Sequence, residues 1–498
     1  MTNASTDSER TVGAGLWTVG GKLVARCFDF LTLIVLARLL APDDFGLIAM
    51  AMSTVVIAEA VLEMPVSSAL LRRGDLSPPM LDTAFTVGIL RGVALAVLLG
   101  ALSFPLALFY GEPRLTILIC ALSLAPILRG TMSPRMVFFV QKLDFKREVF
   151  LELVGKIAAF VVASLIAVWT ESYWAIAAAT ITSPLVGNAL SYVFAPYAPR
   201  LSLSQWRHFA DILGWNTLSQ LLAAVNWQID RVLMGRYVSR VSLGRFSVAN
   251  DLVGIPIQSI VNPLLYPLMP SFVPLVGTNR LGSAYCKASN AIFLMAAPVF
   301  LTMHALADPI VRIILGEGWG ESASVLRWMS LIVILTAPCA PLAPLALALN
   351  RMRMVTFRTA IEFIFKAPIL FFAVTTYGVM GAVAGHGAVA IVVFLATLLI
   401  VKSMTGLSVF RQLAALWRTV VALAALAATL YLLRPPTDGS EGLLMLTAHM
   451  LAAAGAGAIV YGLVVLALWR AMQCPPGVEK IAMTHAARLF SKRLSTPR

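Results

Sequence analysis

VLARLLAPDDFGLIAMA (residues 35–51) and LMGRYVSRVSLGRFSVA (residues 233–249) lie 198 residues apart and share a frame. Superposed at that offset, Arg38 meets Arg236, Gly46 meets Gly244 and Ala51 meets Ala249, and most other columns pair apolar with apolar or small with small. The middles differ in sign: Pro42-Asp43-Asp44 is acidic where Arg240-Val241-Ser242 is basic. Self-similarity at one long interval marks an internal repeat. Each copy also joins two long apolar stretches, so the frame reads as the end of one helix, a short turn and the start of the next.

The surrounding sequence says what those helices are for. The chain has 498 residues, is 59% hydrophobic and carries only 12% charged residues, with a mean hydropathy of +0.86. A soluble domain carries about a quarter charged residues. Apolar stretches of about 20 residues, each enough to cross hydrocarbon as a helix, fill nearly the whole chain. Lipid forbids unsatisfied backbone, so the expectation is an all-α polytopic membrane protein. Fourteen helices are expected, near 13–40, 44–71, 79–110, 114–139, 147–169, 173–195, 207–234, 242–274, 287–315, 322–349, 355–376, 378–403, 411–433 and 442–470. Some exceed the bilayer thickness and must tilt or continue into water.

A net charge of +14 is explained by the positive-inside rule rather than by nucleic acid. With the amino terminus inside, the cytoplasmic loops hold Arg72 and Arg73, then Arg135, Lys142, Lys146 and Arg147, then Arg200 and Arg207. Further on they hold Arg280 and Lys287, then Arg351, Arg353 and Arg358, then Lys402 and Arg411. The opposite loops are short and neutral or acidic. Both termini are therefore expected in the cytoplasm. The start, MTNASTDSERT, lacks the form of a cleavable signal, so the first span is expected to be retained. One external loop breaks the rule: GRYVSRVSLGR, with Arg236, Arg240 and Arg245.

Six spans precede the second copy of the frame, so span seven begins a repeat in the same orientation. Parallel repeats about an axis along the membrane normal are a transporter architecture, with substrate handled between the halves. The expected division is a cytoplasmic segment at 1–12, an N-lobe at 13–200, a C-lobe at 201–405, two extra helices at 406–472 and a basic cytoplasmic tail at 473–498.

Ionisable side chains inside spans cost about 2.5–3.5 kcal/mol each on insertion scales and normally face a partner or a cavity. The first span holds Lys22, Arg26 and Asp29, the second Glu59 and Glu63, the third Arg91, and the fifth Glu148, Glu152 and Lys156. Span seven holds Asn216, Gln220, Asn226, Gln228, Asp230 and Arg231, and span eight Asn250 and Asp251. His304, Asp308, Glu362, Lys366 and His386 follow, and read more simply as packing or pairing residues. The concentration in spans one, two, seven and eight, the equivalent pairs of the repeat, points to a central cavity. The prolines scattered through the spans bend helices and give modest support to a moving bundle.

No phosphate-binding glycine loop, metal-binding histidine pair or nucleophile elbow is present, so neither an enzyme nor a cofactor is expected. The five cysteines are scattered without metal-ligand spacing, and read as small apolar packing residues.

Five stretches together carry a family resemblance: LARLLAPDDFGLIAMA, LDTAFTVGILRG, FYGEPRL (109–115), FFVQKLDFKRE (138–148) and QIDRVLMGRYVSRVSLGRFSVAND (228–251). Over residues 12–405 the chain resembles the polysaccharide transporter family of the multidrug/oligosaccharidyl-lipid/polysaccharide flippase superfamily. The resemblance implies two six-helix lobes around a cavity, plus two extra helices. It also implies movement of undecaprenyl-diphosphate-linked oligosaccharide units to the outer leaflet of a bacterial inner membrane, for exopolysaccharide or lipopolysaccharide. Polysaccharide polymerase and glycosyltransferases of the same pathway are the implied protein partners. On that reading Arg26, Arg91 and Arg231 hold the diphosphate by charge-assisted hydrogen bonds, and Asn226, Gln228 and Asn250 face sugar. Asp29, Glu59, Asp230 or Asp251 binds a coupling ion. Asp43, Asp44, Arg236 and Arg240 form an external rim, where the arginines either handle substrate or pair with the two aspartates. The alternative within the superfamily is a multidrug or small-solute exporter.

Overall fold

Without water at hand, a backbone must close its hydrogen bonds inside each segment, and every regular element among the described residues is helical. A computed structural model describes residues 2–63, 70–71, 76–142, 144–207, 215–435 and 442–472, without the side chains of residues 2–19 and 215–219. Arg72, Arg73, the side chain of Asn216 and the basic tail expected at 473–498 lie outside this description.

The first part of the chain runs through α1 (Thr2–Leu39), α2 (Pro42–Val61), α3 (Pro78–Tyr110), α4 (Arg114–Gly130) and α5 (Pro134–Gln141). It continues through α6 (Lys146–Thr170), α7 (Trp174–Phe194) and α8 (Trp215–Tyr237). Then come α9 (Arg240–Leu275), α10 (Leu281–Ala305), α11 (Ala307–Ile314) and α12 (Glu317–Ala348). The chain finishes with α13 (Arg353–Thr405), α14 (Val409–Ala414), α15 (Trp417–Leu432) and α16 (Leu443–Ala471).

Helix is thus present at every expected span, with departures that have local causes. The fourth span is broken, α4 and α5 meeting at 54° where Ser133-Pro134 interrupts the ladder. The eighth is irregular: a π-turn at Ile257–Val261 sits between Pro256 and Pro263, each of which removes a backbone donor. The eleventh and twelfth spans follow one another with no intervening loop, together α13, the helix being broken and reversed at Gly378, whose φ of 59° and ψ of −136° are not helical. A Cβ on Gly381 would lie 1.9 Å from the carbonyl oxygen of Ala373, whereas eight residues of straight helix would separate them by about 12 Å.

Nine helices among the described residues are long and apolar enough to cross a bilayer, or ten if α4 and α5 form one bent span. The expected count of fourteen is therefore not reached on those terms. The polar residues of α1 and α8 and the 16-residue length of α15 keep these helices out of that set. Large apolar side chains such as Val97, Phe104, Leu108, Val193 and Leu463 lie exposed along the spans, as faces turned to lipid should.

The chain divides into two compact units, residues 1–248 with 370–382, and residues 249–369 with 383–498. In the first, α2 is central: Phe45 to Ala51 are all buried, and α8, α4 and α3 pack on it. There α6 packs on α7 and α1 on α6, with Ala159, Ala163 and Ala167 forming the close-packing stripe that membrane helices favour. In the second unit Phe293 and Ala297 of α10 join Leu423, Leu426 and Leu430 of α15 and Ala453 and Tyr461 of α16 in one apolar core.

Candidate functional site

The two copies of the repeated frame meet. Proline at the first position of α2 is pre-set for helix and lacks only a donor that has no partner there. Asp43 and Asp44 follow in the first turn, where the helix dipole favours negative charge. Asp44 Oδ2 accepts from the backbone N–H of Ala41 at 3.3 Å, and its Oδ1 accepts from that of Tyr173 at 3.2 Å. A Cβ on Gly46 would lie 2.0 Å from the carbonyl oxygen of Arg240, and one on Gly244 would lie 1.9 Å from that of Pro42. Pro42 and Arg240 occupy equivalent places in the two copies, as do Gly46 and Gly244. The contact is therefore reciprocal, as across a two-fold axis, and it lies wholly within the first unit.

This pairing answers the change of sign. Arg240 opens α9 with a positive charge where the dipole disfavours one, and two carboxylates flank it, Asp43 of the other copy and Glu112 just after α3. Its Nε lies 3.0 Å from Asp43 Oδ1, and its Nη1 pairs with Glu112. Glu112 is nearly buried and also accepts from Arg114 Nε at 2.9 Å. Arg236 stacks its guanidinium 5.9 Å from the ring of Phe109, and the neighbouring Tyr237 meets Phe371 edge-on at 5.7 Å. Of the four rim residues, the structure joins Arg240 to Asp43 and leaves Asp44 to the backbone and Arg236 to an aromatic ring.

Deeper in the first unit the expected anion and sugar residues separate. Arg26 Nη1 lies 3.2 Å from Asp29 Oδ2 on α1, and Lys156 Nζ of α6 lies 2.5 Å from Asp29 Oδ1. All three stay partly exposed. Arg129 of α4 reaches Glu59 of α2 at 2.8 and 3.1 Å, and Gln220 of α8 donates to Glu63 at 3.2 Å. Arg91 is half-buried, and its Nε is buried with no hydrogen-bond partner among the described residues. Asn226, Gln228 and Asp230 are buried in α8 rather than open to a ligand. Arg231 donates to Gln228 Oε1 at 3.4 Å, and its backbone N–H to Asp230 Oδ1 at 2.9 Å.

Asn250 and Asp251 fall in the second unit, half-buried and exposed respectively. That unit also ties Asp308 to Arg327 and, at 2.9 Å, to Arg434, while His304 Nδ1 lies 2.9 Å from the carbonyl oxygen of Arg327. Just beyond α7 in the first unit the hydroxyl of Tyr197 donates to Asp82. Burial, then the hydrogen bond and charge of Asp82, push that phenol up to about 12, so it stays a donor.

Sequence reasoning assigned no role to Arg129, Lys156 or Glu112. An arginine and a lysine inside apolar spans were the available signal for the first two. Nothing local marks Glu112 as a partner of Arg240, which lies 128 residues away.

The description "Polysaccharide biosynthesis protein" matches residues 35–324. The succinoglycan biosynthesis transport protein ExoT of Rhizobium meliloti (strain 1021) is 25% identical over 342 residues, covering 67% of this chain and 68% of that protein. The lipopolysaccharide biosynthesis protein WzxC of Escherichia coli (strain K12) is 21% identical over 421 residues, covering 82% and 84%. Among solved structures, the lipid II flippase MurJ in an inward closed conformation superposes with a TM-score of 0.72 at 13% identity, covering 92% of this chain and 99% of that one. An inward-facing multidrug resistance MATE family transporter of the MOP superfamily gives 0.57 at 16% identity, covering 77% and 96%. At those identities the likeness establishes the fold: the chain is built as MurJ and MATE transporters are.

Proposed function

The chain belongs to the polysaccharide biosynthesis protein family, and from that premise we propose that it is a flippase for lipid-diphosphate-linked oligosaccharide units. It moves them across a bacterial inner membrane for exopolysaccharide or lipopolysaccharide synthesis, with both of its own termini cytoplasmic. The observation that carries the reading is the set of cations at membrane depth in the first unit: Arg26, Arg91, Arg129 and Lys156. Such charges are costly in a span and mark a pathway for something that needs them. A diphosphate on a lipid is an anion that hydrocarbon excludes, and arginine holds it by paired charge-assisted bonds. Arg26, Arg91 and Arg231 are the residues assigned to it, and Asn226, Gln228 and Asn250 the residues assigned to sugar.

Transport proceeds by alternating access. The glycine contact and the Arg240 pairs then form an outer closure that opens for release, and the burial of Asn226 and Gln228 belongs to the closed state. Asp29, Glu59, Asp230 and Asp251 are the coupling-ion candidates. Polymerase and glycosyltransferases of the same pathway are the proposed protein partners, and the chain acts by moving substrate, not by altering it.

Replacement of Arg26 or Arg91 by alanine should cut polymer export strongly while the protein still inserts at normal abundance. Export at the unsubstituted level by both variants would remove the anion role. The MATE-like fold leaves a multidrug exporter as the second reading. That reading asks for acidic cavities to hold cations, and cells expressing the chain should then gain resistance to cationic dyes; the flippase reading expects none.

A further inference from the structure

The start of α3, the short helix α5 and the segment that leaves α7 toward α8 come together at one face of the first unit. That segment is docked along α3. The backbone N–H groups of Ser202 and Gln205 donate to the hydroxyls of Thr86 at 2.9 Å and Thr83 at 3.3 Å, and the Tyr197 ring meets Phe85 edge-on at 5.5 Å. Nearer α7, the Ser133 hydroxyl donates to the carbonyl oxygen of Ala195 at 2.8 Å. Beside these attachments lies an open groove of about 330 Å³, within the size range of small-molecule sites. It follows the seam between two small apolar cores: Leu81 and Phe138 belong to one, Ala195 and Phe139 to the other.

Arg135 supplies the only charge in the groove's wall among the described residues. It is held in place, its Nη1 donating to the carbonyl oxygen of Pro196 at 2.7 Å and its guanidinium lying 5.8 Å from the Tyr197 ring. It forms no ion pair among the described residues, so most of its donors are uncommitted. The neighbouring carboxylates serve other groups or lie further off. Asp82 accepts from Tyr197, Asp144 lies 3.9 Å from Arg147, and Glu148 and Glu152 follow on α6 beyond Lys142, Lys146 and Arg147. An exposed apolar groove at helix ends, with a positioned arginine at its edge, matches a lipid phosphate with its chain attached. Mass action favours the abundant phospholipid of the leaflet over a scarce lipid-linked sugar.

We propose that this groove holds an anionic phospholipid, with its phosphate on Arg135 and an acyl chain between Leu81, Phe138 and Phe139. The lipid braces the segment that joins the two copies of the repeat against α3 and α5. The site goes beyond the flippase reading; only the leaflet rests on it, through the orientation that puts Arg135 on the cytoplasmic side. Basic pockets between membrane helices on that side take anionic headgroups.

The test is photolabelling of the full chain in phosphatidylcholine nanodiscs that hold a small share of phosphatidylglycerol with a photoreactive acyl chain, mapped by peptide mass spectrometry. Label should fall on residues 76–81 and 135–141, and the same photoreactive chain on phosphatidylcholine should label them far less. Loss of a charge-assisted hydrogen bond weakens binding about tenfold or more, so Arg135→Gln should cut that labelling by as much, and Arg135→Lys should restore most of it. Leu76→Trp fills the groove while Arg135 stays, and should also cut labelling. Arg280→Gln removes a basic residue of the second unit and should change nothing at the groove. Equal labelling by the two lipids, full labelling of Arg135→Gln, or an equal loss in Arg280→Gln would overturn the site. So would displacement of the label by a short-chain polyprenyl diphosphate at lower concentration than by unlabelled phosphatidylglycerol, which would make the groove a substrate site instead. Transport is read by a separate assay, so failure here leaves the flippase reading standing.

Discussion

At the scale of single residues, Gly46 and Gly244 carry the most specific structural information in the chain. Each lets a helix end approach a backbone carbonyl more closely than any side chain permits. Gly46→Ala and Gly244→Ala should each destabilise the protein by about 1–3 kcal/mol, the usual cost of forcing a methyl into a packed site. Their effects should be similar, because the contact is reciprocal. Gly100→Ala is the control: nothing lies within 4 Å of a Cβ there, so thermal unfolding in detergent should be unchanged or slightly raised. Arg240 is the second test at this scale. Arg240→Ala leaves nearly buried Glu112 with Arg114 as its remaining ion-pair partner, and leaves Asp43 without its Arg240 partner. The outer closure should loosen, so a cysteine placed at Ser247, buried further along α9, should react faster with a membrane-impermeant maleimide added outside. An unaltered rate would deny Arg240 a part in holding the closure. The repeated glycines were legible in sequence, and so was the pairing of acidic with basic turns as one of two options. The choice of Asp43 over Asp44 was not, because it depends on which carboxylate the backbone N–H groups of Ala41 and Tyr173 have already claimed.

At the scale of elements, the reversal in α13 shows what hydropathy reads and what it misses. The sequence places a boundary at Tyr377, between the spans expected at 355–376 and 378–403, because the apolar run is too long for one crossing. It does not reveal that helix continues on both sides without a loop, since that depends on one residue's backbone. Gly378 has φ 59° and ψ −136°, a region essentially closed to residues with a Cβ. Gly378→Val should therefore sharply reduce the amount of inserted protein, well beyond the effect of Gly100→Ala, as read by membrane immunoblot. The irregular α9 has the opposite history. Pro256, Pro263 and Pro267 were visible, yet their spacing alone does not say that the ladder slips into a π-turn at Ile257–Val261. Asn226, Gln228 and Asp230 make α8 read as the wall of a cavity in sequence; in the structure they are buried in a helix packed on α2, an arrangement that sequence spacing does not specify.

At the scale of the whole molecule, the class of protein was legible because composition leaves few choices at 59% hydrophobic and 12% charged residues. The likeness to MurJ over 92% of the chain agrees with the all-helical membrane fold read from sequence. The ion pairs that join separate helices were much less legible: Lys156 meets Asp29 across 127 residues and Arg129 meets Glu59 across 70, distances that no helical periodicity spans. The account's central claim is movement of a lipid-linked diphosphate sugar between leaflets. Its most direct test is reconstitution of the full chain in liposomes with a labelled lipid-diphosphate oligosaccharide, followed by quenching of the label from one side. The account predicts that all of the label becomes accessible with time when the chain is present, and only one leaflet's share in protein-free liposomes. Loss of that movement in the Arg26→Ala variant is the matching expectation. A chain that inserts normally, leaves the labelled lipid in its original leaflet and carries a cationic dye instead would contradict it.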